Sequence, residues 1–141
     1  MKNQAQKFFF LAAFGILFMP FLELRAQEAI RKNGKYAIMV RNSALFKVSV
    51  MTGKELKAKS SKIKFEIILI GDVIKDLAND AELQKITTEC DKVGIKIVAC
   101  EFAMKMQNVE KSQYPSSVLS TPNAFIYIFS LQEKGFKMIT L

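Results

Sequence analysis

A thiol, Cys100, closes the apolar run Ile95-Lys96-Ile97-Val98-Ala99 and opens a polar segment holding Glu101 and Lys105. A cysteine at the carboxyl end of a buried strand stands where open α/β sheets collect ligands and chemistry. The chemistry open to it is thiol exchange or sulfur transfer, which needs a thiolate, a positive surrounding and a partner thiol. A helix starting just after Cys100 and the ammonium of Lys105 would favour the thiolate, and the Glu101 carboxylate would oppose it. Further polar candidates follow two earlier apolar runs: Arg41, Asn42 and Ser43 after the first, Gly71 and Asp72 after the second. If these runs are parallel strands, all of these residues open on the same sheet edge as Cys100. Arg41 would there hold an anion or pair with Asp72. Asp72, Asn42 and Ser43 also have plain uses as helix caps, and a cysteine behind an aliphatic strand has a plain use as core.

The chain contains no histidine. Cys-His and Ser-His nucleophilic dyads are therefore impossible, and histidine-based zinc or haem ligation is excluded. Neither G-x-x-x-x-G-K-[ST] nor G-x-G-x-x-G occurs, so the phosphate-cradling loops are missing. No cofactor and no metal is indicated, and no acid–base pair points to a conventional enzyme. The second cysteine, Cys90, falls near the end of a helical segment, with a strand of five residues between it and Cys100. Strands rise ~3.3 Å per residue, and disulfide Cα atoms must come within about 7 Å. Two free thiols are expected, Cys90 as a small core residue.

Lys2 and Lys7 precede a nearly unbroken apolar run from Phe8 to Met19, ended by Pro20, with small Ala26 further on. That is the layout of a secretory signal peptide over residues 1–26, and the run is short of the ~20 residues that anchor a helix in a bilayer. A retained amino-terminal anchor is the alternative, since Leu24 stands where a small residue is usual. Residues 27–141 then make one domain, periplasmic or secreted, with no membrane span after cleavage. The formal charge of +8 falls to +6 once Lys2, Lys7, Arg25 and Glu23 leave. That balance does not suggest nucleic acid. It is uneven, however: Lys47, Lys54, Lys57, Lys59, Lys62 and Lys64 face only Glu55 in their stretch. The segment is either a solvated helix face or a patch for an anionic ligand or acidic partner.

Tyr36–Val40, Ile63–Ile70 and Ile95–Ala99 read as buried strands without polar alternation, and Phe136–Thr140 as a last one. Between them, Ala44–Lys59 has helical spacing with Leu45, Val48, Thr52 and Leu56 on one stripe. A second helical stretch starts at Val73, breaks near Asn79-Asp80, and resumes at Ala81–Val93 with Leu83, Ile86, Cys90 and Val93 on one face. Gly94 suits its C′ position. A short helix over Phe102–Gln107, a brief strand at Val118-Leu119-Ser120 and an apolar helix over Asn123–Glu133, stopped by Gly135, complete the chain. Helices alternating with non-alternating strands predict a three-layer α/β/α domain, its mainly parallel sheet of about five strands covered on both faces.

The run Ile68-Leu69-Ile70-Gly71-Asp72-Val73, the valine-bearing strand Gly94-Ile95-Lys96-Ile97-Val98-Ala99-Cys100, the triplet Pro122-Asn123-Ala124 and the closing Leu131-Gln132-Glu133-Lys134-Gly135-Phe136 resemble, in this order, the DsrE/DsrF-like (YchN-like) proteins. The resemblance covers Tyr36 to Leu141. It implies a flavodoxin-like, DsrE-like fold, a homo- or hetero-oligomer, and a cysteine that holds sulfur as a persulfide and passes it between donor and acceptor proteins. That cysteine corresponds to Cys100. Glu101 and Ala124 stand where such proteins often carry glycine. Two functions follow: an exported persulfide carrier or thiol-redox protein acting through Cys100, or a non-catalytic oligomeric binding module with Met104, Met106 and Phe125 at contacts.

Overall fold

The computed structural model describes residues 30–141; the expected signal peptide lies outside the described residues. Five strands form one sheet in the order β4-β3-β2-β1-β5: β1 (Lys35–Val40), β2 (Lys64–Leu69), β3 (Ile95–Cys100), β4 (Val118–Thr121) and β5 (Lys137–Thr140). All four pairings are parallel. The helices are α1 (Ser43–Lys59), α2 (Val73–Asn79), α3 (Ala81–Lys92), α4 (Glu101–Met106) and α5 (Ala124–Glu133), with a 3-10 turn at Lys111–Gln113. The order read from the sequence is the observed one, with boundaries shifted by a residue or two.

The strand order dictates the layers. From β1 to β4 each connection steps to the next strand in one direction, and right-handed crossovers then place α1 to α4 on a single face. The last connection must return past the whole sheet to seat β5 beside β1, so α5 lies on the opposite face. The core divides accordingly. Ile38, Val40, Phe65, Ile67, Ile97 and Ala99 pack with Phe46, Leu77, Leu83, Cys90 and Met104 of α1 to α4. Ala37, Met39, Ile68 and Cys100 point the other way and pack with Ala124 and Leu131 of α5 and with Phe136. Among the described residues both faces are covered, but unequally: one by four helices, the other by one.

Local signals fix the ends. The Asn42 side chain accepts a hydrogen bond from Leu45 N at 2.9 Å and caps α1. Asp80 accepts from Glu82 N and Leu83 N and so divides α2 from α3. Asn123 accepts from Phe125 N at 2.9 Å and starts α5. Gly94 ends α3 at φ +73, a conformation that glycine adopts without penalty.

Two helix faces differ from their expected stripes. In α1 the buried residues are Phe46, Ser49, Val50, Gly53 and Leu56, whereas Val48 is 54% exposed and Leu45 and Thr52 are half-buried. Ser49 tolerates burial because its hydroxyl donates to Leu45 O at 2.8 Å. Gly53 is buried because the helix lies close on the sheet there. A Cβ at this position would fall 2.6 Å from Phe65 Cδ1 and 2.9 Å from Ile95 Cδ1. In α3, Thr87 takes the inward place, its hydroxyl donating to Gln84 O, while Val93 is exposed.

A helix-interior glycine replaced by alanine ordinarily gains roughly 0.5–1 kcal/mol. Here the sign is expected to reverse: Gly53→Ala overpacks the α1–sheet contact and loses about 1–3 kcal/mol in urea unfolding. A stabilised variant would contradict the close approach.

Candidate functional site

Cys100 ends β3 and holds the N-cap position of α4, with extended backbone (φ −80, ψ 115). Strand pleating turns its side chain to the α5 face. There the backbone N–H of Ala124, the first residue of α5, donates to Cys100 Sγ at 3.4 Å. The sulfur is thus met by the start of a ten-residue helix, at the positive end of its dipole, while Asn123 takes the N–H groups of Phe125 and Ile126. Parallel pairing of Cys100 with Thr121 sets the distance, since only Pro122 and Asn123 separate Thr121 from Ala124. The junction is tied again by Phe102 N donating to Pro122 O. Cys100 is 5% exposed, so the sulfur sits beneath this junction rather than open to solvent.

Glu101 leans away toward β4. Its carboxylate accepts from Ser120 Oγ at 2.7 Å and acts on Lys111, whose ammonium donates to Val118 O. Burial pushes the Lys111 pKa down and the Glu101 charge partly opposes that push. Lys111 escaped the sequence reading because it lies in the irregular stretch between α4 and β4, where no periodicity marks it. Lys105 is exposed.

The residues after β1 and β2 form a neighbouring cluster with partners of their own. Asn42 spends its side chain on the α1 cap, and Ser43 Oγ donates to Asp76 of α2. Asp72 stands at the start of α2 yet makes no side-chain capping bond. Instead the carbonyl of Arg41 accepts from Val73 N at 3.1 Å, which leaves the Asp72 carboxylate with no capping task. The Arg41 side chain is exposed. Gly71 (φ +63) permits this turn, because a Cβ there would meet Arg41 O at 2.9 Å. Gln107, just past α4, donates to Gly71 O at 2.6 Å and links this cluster to the segment following Cys100. Met104 is buried in the first core and so is not available for contacts, whereas Met106 is 73% and Phe125 57% exposed.

The second thiol differs in kind. Cys90 is fully buried on α3 and, like Cys100, is unbridged. Burial pushes its pKa up to about 11, with Lys54 opposing and Glu89 adding to the shift.

No protein-family model and no curated protein sequence matches the chain. Solved structures do. A protein of unknown function from Methanobacterium thermoautotrophicum, MTH1491, superposes at TM-score 0.69 with 14% identity over 77% of this chain and 99% of its own. BT1422 from Bacteroides thetaiotaomicron, also of unknown function, gives 0.65 with 23% identity over 80% and 99%. The ychN protein of E. coli gives 0.56 with 12% identity over 76% and 99%. The fold is the YchN-like, DsrE-like α/β fold, as the resemblance in the sequence implied.

The raised Cys90 pKa has a consequence for stability. Its ordinary value is 9.0 and its folded value about 11, so between these the unfolded chain binds fewer protons and stability falls as pH rises. The loss attributable to Cys90 is about 2–3 kcal/mol across that window. Unfolding of Cys90→Ala against wild type from pH 8 to 11 is expected to show a shallower decline in the variant. Parallel curves would contradict the assignment.

Proposed function

We propose that the chain is an exported carrier of sulfane sulfur that works through Cys100. The observation that carries this reading is the Ala124 N–H aimed at Cys100 Sγ from the start of α5. That N–H gives the sulfur a hydrogen-bond donor, and the Glu101 carboxylate is engaged elsewhere, by Ser120. The Cys100 thiolate would attack the outer sulfur of a persulfide donor R-S-SH. The donor S–S bond breaks, R-S⁻ leaves, and Cys100-S-SH forms without external oxidant or reductant. Passing that sulfur to an acceptor thiol repeats the exchange in reverse sense. Burial of Sγ beneath the α4–α5 junction favours small donors over protein-bound ones. The signal-peptide layout of residues 1–26 supports a periplasmic or secreted setting.

A second reading has its own observation: Phe102, Met106, Phe125, Ile126 and Phe129 are all more than half exposed. Apolar surface concentrated on α4 and α5 fits a homo-oligomer, in which the chain could be an assembly module without thiol chemistry.

Intact-mass analysis after incubation with a hydropolysulfide is expected to show the gain of one sulfur atom, absent in Cys100→Ser and retained in Cys90→Ala. No adduct on wild type would overturn the carrier. Light scattering of Ile126→Lys/Phe129→Lys is expected to give a smaller particle than wild type. A monomeric wild type would remove the oligomer.

A further inference from the structure

The amino ends of the strands, opposite Cys100, gather five lysines around one cavity. A cavity of about 360 Å³ opens on the α5 face and is lined by Lys35, Lys57, Lys64, Lys96 and Lys134, with Glu66 and Tyr127 among its other walls. Lys35 and Lys64 are in direct register on neighbouring strands, a placement of like charges that costs stability. The lysine-rich stretch of the sequence divides here. Lys47 and Lys54 turn outward to Glu82 and Glu89 of α3, while Lys57 and Lys64 turn to the cavity.

Among the described residues only Lys96 of the five has a carboxylate nearby, Glu66 at 3.9 Å. Glu66 is itself 5% exposed and is fixed by the Tyr127 hydroxyl, which donates to it at 2.7 Å. Lys57 is held by the carbonyls of Ser61 and Ile63, in space that Gly94 leaves open: a Cβ at Gly94 would lie 3.2 Å from Lys57 Nζ. Lys35 donates to Lys134 O at 2.8 Å at the end of α5. These bonds orient the ammoniums and leave their charge uncompensated. The helix end opposes an anion with about half a charge, far less than four cations supply.

We infer that this cavity binds a small oxyanion of two or more negative charges, the phosphate or sulfate group of a soluble ligand. Its volume is at the lower end of the range for small-molecule sites. Lysines serve such groups as point charges.

The test is calorimetric titration with inorganic pyrophosphate at low salt. Lys64→Gln/Lys134→Gln is expected to bind at least about tenfold more weakly than wild type, and Glu66→Gln several-fold more tightly. Lys75→Gln/Lys85→Gln, which removes the same charge from α2 and α3, is expected to bind as wild type does. Equal weakening in the two double variants would reduce the effect to net charge and overturn the site. So would absence of pyrophosphate binding, or binding only to phosphatidylglycerol vesicles. Thermal melts of each variant distinguish lost binding from lost fold.

Discussion

One topological constraint organises this molecule: the chain must return across the sheet to place β5 beside β1. With right-handed crossovers, that return travels on the face that α1 to α4 leave empty. Helix α5 therefore starts at the carboxyl ends of the strands and finishes at their amino ends, with no helical neighbour on its own face among the described residues. Its start meets Cys100 Sγ through Ala124 N. Its finish, Lys134, meets Lys35 and the lysine-lined cavity. Its outer side leaves Phe125, Ile126 and Phe129 uncovered. Three functional readings thus trace to a single connection.

The two cysteines show how the layers set chemistry. Both are buried and unbridged, yet they belong to opposite cores. Cys90 lies among α3 and sheet side chains, where desolvation opposes the thiolate. Cys100 lies in the smaller core, against a helix start that offers an N–H. Their separation follows from pleat and strand direction: β3 carries the chain away from the end of α3 before Cys100 is reached. Glu101, adjacent in sequence and opposed in charge, is drawn toward Ser120 and Lys111 on the β4 side. A neighbouring residue number is therefore a poor guide to the charge that the sulfur meets.

Much of the architecture was legible because its signals are local. Asp80 as a cap, Gly94 and Gly135 as helix stops, and strands without alternation all act within a few residues of themselves. The misplaced faces had tertiary causes. Gly53 and Ser49 look like weak helix residues in sequence and are buried because α1 lies close on Phe65 and Ile95. Val48 reads as core and is exposed for the same reason. At the site, position was legible and contact was not. The carboxyl ends of the strands could be placed on one edge, but the Ala124 N–H on the sulfur depends on β4 register and on which face α5 takes. Lys111 and the gathering of five lysines from β1, α1, β2, β3 and the end of α5 depend on the same long-range order.

Under the proposed carrier function Cys100, and not Cys90, is the reactive thiol. Brief treatment of the native protein with iodoacetamide near neutral pH, read by peptide mass spectrometry, tests it most directly. Modification is expected at Cys100 well before Cys90. Equal rates, or an inert Cys100 beside a labelled Cys90, would contradict it.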